Sequence, residues 1–274
     1  MATEGKAVLT TGANSGIGLA CAVELAKRGY RSIGSVRSEE KAEAVHKAAA
    51  DAGVEIETVL LDVTDADRSA EIVPDLDLYG LVNNAGYGVT GAVEDVTDDE
   101  ARAVLDTMVL APMRLAKLAL PGMRARKAGR IVNVSSIMGR TTTPLTGWYQ
   151  ASKHALEAVS DALRMEVAGD GIKVVLVEPG GFNTGIWEDL QRDVDKRGDS
   201  RFGPAYRRSL SLTKLASPVM GDPAGAAKVV AGAVASRSPR ARYLVGADAQ
   251  AIAFWDRLTP TPVKDRLSRL GLGL

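Results

Sequence analysis

A glycine-rich turn near the start of the chain restricts the fold more than any other feature. Residues 6–11 are predicted to form a short buried strand, and residues 12–18 follow with the sequence Gly-Ala-Asn-Ser-Gly-Ile-Gly. A helix is predicted at 19–28. Glycines let a backbone approach phosphates, and a helix N-terminus favours negative charge. The pattern therefore predicts a nucleotide site, although a tight strand–helix turn would also need glycine.

Strands and helices alternate along the rest of the chain. Further strands are predicted at 32–36, 55–61, 78–82, 130–134, 172–177 and 242–245, and further helices at 39–52, 97–126, 148–167 and 223–235. This alternation predicts an α/β fold with a single Rossmann-type, doubly wound parallel sheet and helices on both faces. We expect one catalytic domain over residues 1–274. It would carry an irregular, polar substrate lid at about 185–218 and a C-terminal helical extension at about 248–274.

The end of the second strand indicates which dinucleotide would bind. An acidic residue there would hold the ribose hydroxyls of NAD, but Val36 stands in that place and Arg37 follows it. A guanidinium matches a 2′-phosphate, which favours NADP(H) over NAD(H). An exposed arginine at a strand end is the alternative. Asp62 ends the third strand, where it would contact the adenine edge or cap the next turn.

Composition excludes several classes of function. The 34 basic and 34 acidic residues cancel, so no charge excess favours a nucleic-acid partner. Cys21 is the single cysteine, and no signal peptide or apolar run of membrane-spanning length is visible, which predicts a cytoplasmic protein. His46 and His154 lie far apart and have no cysteine or carboxylate cluster at ligand spacing, so no metal site is expected.

Tyr149 and Lys153 are the candidates for proton chemistry. They are four residues apart in a predicted helix, so both side chains share one helical face. A nearby ammonium favours the phenolate, so we expect Lys153 to lower the pKa of Tyr149. Ser136 follows the strand at 130–134 and could donate a hydrogen bond to a substrate oxygen, although a lone loop serine is common.

Taken in order, these residues resemble the short-chain dehydrogenase/reductase family over nearly the whole chain. The matching motifs are Thr11-Gly12-x-x-x-Gly16-Ile17-Gly18, Asp62-Val63, Asn83-Asn84-Ala85-Gly86, Ser136, Tyr149-x-x-x-Lys153 and Pro179-Gly180. The stretches 78–86 and 156–164 are similar to the retinol and hydroxysteroid dehydrogenase branch. The resemblance implies hydride transfer between a nicotinamide cofactor and a carbonyl carbon.

The resemblance also implies roles for individual residues. Tyr149 would be the general acid/base, Ser136 would orient the substrate oxygen, and Lys153 would lower the tyrosine pKa and hold the nicotinamide ribose. The cofactor would be bound by Gly12, Asn14, Ser15, Gly16, Ile17, Gly18, Arg37, Asp62, Val63, Asn83, Ala85, Gly86, Tyr149, Lys153, Pro179, Gly180, Phe182 and Thr184. Family members are commonly homodimers or homotetramers, so a homo-oligomer is expected.

Two positions depart from the family pattern. Met108 stands where the family usually has an asparagine that anchors a water chain to the lysine, and a thioether cannot donate a hydrogen bond. The relay would then be rebuilt through Thr107 or backbone groups, or proton exchange would be slower. The segment between Asp62 and Asn83 is shortened, which predicts a trimmed helix. Pro112 is predicted to kink the helix at 97–126.

The expected function is NADP(H)-dependent interconversion of a carbonyl and its alcohol on a lipophilic molecule such as a steroid, retinoid or aliphatic ketone. The alternatives are a catalytically weak regulatory or scaffold protein, suggested by Met108, and an epimerase or dehydratase. Near the C-terminus, Val263, Leu267 and Leu270 recur at helical spacing beside basic residues. That stripe could touch a membrane surface, but we favour its packing onto the body or another subunit.

Overall fold

The strands form one parallel sheet, as predicted. The computed structural model describes residues 5–182, 186–197 and 199–274. The strands are β1 (Ala7–Thr11), β2 (Arg31–Val36), β3 (Glu57–Leu60), β4 (Leu78–Asn83), β5 (Gly129–Val134), β6 (Ile172–Pro179) and β7 (Arg242–Val245). Their order across the sheet is β3-β2-β1-β4-β5-β6-β7, and every neighbouring pair is parallel. The predicted α/β fold class is confirmed.

Helices cover both faces of this sheet. They are α1 (Gly16–Lys27), α2 (Glu39–Asp51), α3 (Ala66–Ile72), α4 (Asp98–Leu105), α5 (Ala111–Ala125), α6 (Gly147–Glu166), α7 (Ile186–Lys196), α8 (Gly203–Ala216), α9 (Pro223–Ala235), α10 (Ala247–Leu258) and α11 (Thr261–Leu272). Successive strand residues point to opposite faces, so Val8 packs with α1 and α9 while Leu9 packs with α5. None of the helices in the described parts of the chain is long and apolar enough to span a bilayer.

The strand order reverses beside β1, and this reversal locates the site. β1 lies between β2 and β4, so the chain leaves β1 and β4 at neighbouring carboxyl ends of the sheet. The loops that follow, 12–15 and 84–97, lead to helices on opposite faces of the sheet, and the ligand crevice of an open α/β sheet is expected at this place. Ligands bind at such a switch point in open α/β sheets.

The helix predicted at 97–126 begins and ends near its expected bounds but is not uniform. Thr97 and Glu100 form the predicted capping box at its start. Residues Asp106–Leu110 form a wider π-helical turn directly before α5. A proline ring clashes with the carbonyl oxygen four residues earlier in a regular helix. The π-helical turn is therefore the helix distortion that was expected at Pro112. The predicted trimmed helix between Asp62 and Asn83 is the short α3.

The described residues within 185–218 are mostly helical, so the predicted irregularity of this segment is wrong. Its described residues form α7 and α8, and buried contacts fix both helices to the loop after β4. The Thr90 N–H donates to Asp193 at 2.7 Å, and the guanidinium of Arg197, which is buried, lies 2.7 Å from the Glu100 carboxylate. Burial opposes the charge of Glu100, but hydrogen bonds from Lys196 and Thr97, and the charge of Arg197, lower its pKa to about 2. The described residues of this segment are therefore anchored to the loop after β4 and to α4.

Tyr206 on α8 provides a test of that anchoring. Its hydroxyl, which is fully buried, donates to Asp95 at 2.6 Å and accepts the Ala92 N–H at 2.7 Å. Tyr206→Phe leaves the buried Ala92 N–H without a partner and removes one of the two hydrogen bonds that Asp95 accepts, so we expect the free energy of unfolding in urea to fall by about 1–3 kcal/mol. Tyr243→Phe is the control, because it loses one exposed hydrogen bond, from Arg240, and should cost less than about 0.5 kcal/mol. Equal losses for the two variants would contradict the anchoring.

Candidate active site

The glycine turn is tied to the loop after β4 by the Thr11 side chain. Its hydroxyl oxygen accepts the N–H groups of Asn84 and Ala85, each at 2.9 Å. The Asn84 side-chain amide donates back to the Thr11 carbonyl at 3.0 Å. Gly12 has φ +64°, and a Cβ there would lie 3.0 Å from the Ala85 Cα. The two loops therefore touch through their backbones, at a spacing that only glycine permits.

The start of α1 leaves room and charge for a phosphate. A Cβ on Gly18 would overlap the Gly12 carbonyl oxygen and the Asn84 side-chain amide, so the turn keeps its shape only with glycine there. Ser15 is the N-cap residue, but its side chain does not cap the helix, and the first turn holds no acidic residue. The helix N-terminus therefore presents its partial positive charge to the crevice. The predicted residues that line this turn are Gly12, Asn14, Ser15, Gly16, Ile17 and Gly18.

Basic residues and Asp62 lie together beyond the glycine turn. Arg37 is exposed after β2. Burial favours the protonated Asp62, but hydrogen bonds from Thr64 and the nearby charges of Arg37 and Lys41 lower its pKa. Lys41 was missed by the sequence analysis, although its place in the first turn of the helix after β2 is a usable signal. The Val63 side chain packs in the core, which leaves only its backbone for a ligand.

The side chain of Asn83 does not face the crevice, as its predicted role in cofactor binding would require. Its side chain is buried and donates to the side-chain oxygen Oδ1 of Asn133 at 2.8 Å, and the Asn133 side chain in turn donates to the Ser160 hydroxyl on α6 at 2.7 Å. Asn83 therefore links β4, β5 and α6, and only its backbone is free to face a cofactor. Ala85 and Gly86 follow it at the edge of the crevice.

Ser136 and Tyr149 are brought together, as predicted. Ser136 follows β5, and its hydroxyl oxygen accepts the Met138 N–H at 3.1 Å, which fixes the turn Ile137–Gly139. Tyr149 lies in the first turn of α6. Burial raises the pKa of Tyr149, and a hydrogen bond with Ser136 partly opposes that rise. The two hydroxyls form a pair that can share one oxygen ligand.

Lys153 does not act on Tyr149 in the predicted way. The ammonium nitrogen is buried, donates to the Val134 carbonyl at 3.0 Å and lies 5.8 Å from the centre of the tyrosine ring. Burial lowers the pKa of Lys153 to about 8, against the charge of Glu157, which raises it. The expected lowering of the Tyr149 pKa by Lys153 is not found in this structure, because burial raises that pKa and the group that opposes the rise is Ser136.

A buried network of charges below Lys153 was also missed. Glu178, at the end of β6, has no exposed surface and lies 2.6 Å from Arg140 and 3.2 Å from Arg242. Arg242 also lies 3.1 Å from Glu157, one helical turn after Lys153. Burial raises the pKa of Glu157, and Glu178 raises it further, while Ser135 and Arg242 lower it. The sequence signal that could have indicated this network is Glu178, a glutamate near the end of an apolar strand.

The loop after β6 holds the remaining predicted cofactor residues. The Gly181 N–H donates to Asp248 on α10 at 2.6 Å, and a Cβ on Gly180 would overlap that carboxylate. Pro179 ends β6, and the Phe182 ring packs into the core, away from the crevice. Thr184 lies outside the described residues.

Met108 occupies the interior beside the site. Its side chain is buried, and the Ser152 hydroxyl donates to its sulfur at 3.5 Å. Thr107, which was considered as a substitute relay, is hydrogen-bonded to Tyr87. Among the described residues, no group of three or more histidine, cysteine or acidic side chains is placed to hold a metal.

Comparisons with known proteins agree with this geometry. Residues 6–195 match the model of the short chain dehydrogenase family. An uncharacterized oxidoreductase of Bacillus subtilis, YusZ, is 36% identical over 82% of this chain and 83% of its own length. Retinol dehydrogenase 7 of Rattus norvegicus is 34% identical over 89% and 82% of the two chains. A solved structure of actinorhodin polyketide ketoreductase with NADPH is 29% identical, with a TM-score of 0.76 over 89% and 97%. The predicted family and its retinol dehydrogenase-like branch are confirmed.

The buried ammonium of Lys153 makes stability depend on pH. Its pKa is about 8 in the folded chain and 10.5 ordinarily, so between these values the unfolded chain holds more protons and stability rises with pH. Below pH 8 the burial penalty is fully present. We expect Lys153→Met to raise the free energy of unfolding by about 1–3 kcal/mol at pH 7 and by much less at pH 10.

Urea denaturation at both pH values measures this difference. Lys173→Met is the control, because Lys173 is exposed on β6 and its removal should change stability equally at the two pH values. A difference between Lys153→Met and the parent that stays constant with pH would contradict the buried-charge explanation.

Proposed function

We propose a function for this chain from the premise that it belongs to the short-chain dehydrogenase family, a group of oxidoreductases. The function is NADP(H)-dependent interconversion of a carbonyl group and its alcohol on a lipophilic small molecule. The observation that carries it is the Ser136–Tyr149 hydroxyl pair, with Lys153 one helical turn further. The pair lies at the same end of the sheet as the glycine turn.

The residues of the crevice fit a phosphorylated dinucleotide. The glycine turn and the uncapped start of α1 would hold the pyrophosphate, and Arg37 with Lys41 would bind the 2′-phosphate, which supports NADP(H) over NAD(H). The ketoreductase structure with NADPH supports the same choice. The nicotinamide ring supplies or accepts the hydride when the cofactor is bound.

Tyr149 would move the proton in this reaction. In the direction of reduction, its hydroxyl donates a proton to the oxygen of the carbonyl group, and it takes that proton back in oxidation. Ser136 would bind the same substrate oxygen through its own hydroxyl. The substrate oxygen would then face the hydroxyls of both Ser136 and Tyr149. Lys153, with a pKa of about 8, is half protonated near that pH; it would hold the nicotinamide ribose and return the proton to Tyr149.

The walls near Tyr149 support a lipophilic substrate. Tyr87 and Trp148 pack with Tyr149 on a buried apolar cluster that includes Val89 and Met108, so the tyrosine has apolar surroundings. Residues 185–218 would cover this apolar region as a substrate lid, and the name of the retinol dehydrogenase relative points to the same class of molecule. We include in the proposal the single domain over residues 1–274, its C-terminal helical extension from about 248 and assembly into a homo-oligomer.

A regulatory or scaffold protein is the second candidate. Met108 supports it, because its buried sulfur stands where the family usually has a hydrogen-bonding amide and the neighbouring Thr107 is engaged by Tyr87. That candidate predicts tight NADPH binding without turnover, and no recovery of turnover with Met108→Asn. The oxidoreductase predicts turnover in the parent.

Removal of the Tyr149 hydroxyl tests the reaction. We expect Tyr149→Phe to lower NADPH-dependent turnover at least about a hundredfold, because proton transfer to the substrate oxygen is lost. NADPH affinity should stay within about twofold, since the ring remains. Turnover is measured by NADPH oxidation with steroids, retinoids and aliphatic ketones. Tyr30→Phe, on the far side of the molecule, is the control. Turnover equal to the parent's in Tyr149→Phe would remove the assigned role.

Arg37 tests the choice of cofactor. Arg37→Ala removes a charge-assisted contact to the 2′-phosphate, so we expect NADPH affinity to fall by about tenfold or more and NADH affinity to stay nearly unchanged. Arg31→Ala is a matched control, because Arg31 lies at the other end of β2 and pairs with Glu57. Fluorescence titration with each cofactor gives both affinities. Equal losses for NADPH and NADH would overturn the preference for NADP(H).

A further inference from the structure

The apolar stripe of helix α11 faces away from the rest of the chain. Val263, Leu267 and Leu270 are 47–62% exposed, whereas Lys264 and Ser268 are partly covered by the rest of the chain. An amphipathic helix that covers a core has the opposite orientation. The stripe therefore does not pack onto the body, which was one of the two possibilities that we favoured, and it is available to another subunit or to a different partner.

Helix α10 repeats this arrangement. Its small residues face inward, since Ala249 is buried and Ala253 is partly covered. Its large residues face outward, and Phe254, Trp255 and Leu258 are 59–63% exposed. The two aromatic rings pack edge to face with centres 5.7 Å apart. Two consecutive helices thus expose the side chains that a core would normally bury.

Helix α8 extends the same surface. α11 packs against α8, where Leu212 and Leu215 are also exposed, and the Lys264 ammonium joins α11 to Asp256 of α10 at 2.9 Å. We define the C-terminal apolar surface as Leu212, Leu215, Phe254, Trp255, Leu258, Val263, Leu267 and Leu270. Among the described residues, ten of the fourteen exposed large hydrophobic side chains lie between 212 and 274. Apolar exposure is therefore concentrated here, as at an interaction surface.

The charges around this surface restrict its partner. Helices α8, α10 and α11 contain seven basic and three acidic residues, although the whole chain has equal numbers of each. Two of the acids, Asp248 and Asp256, are engaged by Gly181 and Lys264. A second copy bound by the same surface across a twofold axis would set basic groups against basic groups. A negatively charged surface would instead be attracted.

We propose that the C-terminal apolar surface docks on the headgroup region of an anionic lipid bilayer. Outward aromatic and aliphatic side chains beside arginines and lysines are the features of helices that lie in a membrane interface. Each basic residue near an anionic membrane adds attraction that salt screens. The helices lie on the membrane in this arrangement and do not cross it.

Docking would bring the cleft close to the bilayer. α10 contacts the turn Ile137–Gly139 that follows Ser136, and its Asp248 holds the loop at Gly181. A lipophilic substrate could then pass from the bilayer into the cleft without crossing bulk water. This route rests on the proposed function, whereas the docking itself does not depend on any reaction.

Vesicle sedimentation tests the docking with the full chain. We expect the protein to sediment with vesicles of phosphatidylcholine and phosphatidylglycerol, and to bind vesicles of phosphatidylcholine alone at least about tenfold more weakly. Leu267→Ser with Leu270→Ser should reduce binding to the anionic vesicles at least about tenfold. Arg266→Glu with Arg269→Glu should also reduce it, and should remove its dependence on salt.

Met165→Ser is the matched control, because Met165 is an equally exposed apolar residue on α6, and its binding should equal the parent's. NADPH affinity, measured beside each binding curve, should not change in any variant and shows that each one is folded. Absence of vesicle binding by the parent overturns the proposal. So does a parent dimer that the Leu267→Ser, Leu270→Ser variant converts to a monomer without loss of vesicle binding, because the surface would then be a subunit interface.

Discussion

The Thr11 hydroxyl holds the candidate site together. It accepts two backbone N–H groups from the loop after β4, and the Asn84 amide returns a bond to the Thr11 carbonyl. These contacts join the two loops that diverge at the reversal of strand order. Because the hydroxyl is buried, its partners have no water to replace it, so the loops are fixed relative to each other. The shape of the glycine turn depends on this contact, because the contact sets how close Gly12 and Gly18 lie to the loop after β4.

Local signals predicted most of the fold. The apolar strands, the glycine turn and the Thr97–Glu100 capping box are each encoded by residues close in sequence, and the structure has all of them. The described residues of 185–218 were wrongly predicted to be irregular, because their polar composition hides two helices whose buried anchors are few. Tyr206 is hydrogen-bonded to Asp95, more than a hundred residues earlier in the chain, and no local sequence pattern predicts such a contact. For these two helices, local helix propensity was less informative about the structure than tertiary packing.

The same limit applies to the site. The strand pattern, the spacing of Tyr149 and Lys153 and the family resemblance all pointed to one site for Ser136, Tyr149 and Lys153, but they could not predict the electrostatics of these residues. The spacing of Tyr149 and Lys153 suggests a direct effect of the ammonium on the phenol. Burial is the larger effect in the structure, and it raises the pKa of the phenol while lowering that of the ammonium. Burial depends on elements that are distant in sequence, so a motif alone does not reveal it.

The charges below Lys153 explain how a buried ammonium can be kept at this place. An isolated charge in the interior is costly, but Glu157 lies one turn along α6 and its negative charge opposes the loss of the lysine proton. Glu157 is in turn balanced by Arg242 from β7, which also reaches Glu178 at the end of β6, and Arg140 closes the group from the turn after Ser136. The charge of Lys153 is thus set by four segments, which are α6, the end of β6, the start of β7 and the turn after β5. A change at any of these segments would reach the lysine through the network, which ties the chemistry of α6 to the geometry of the sheet.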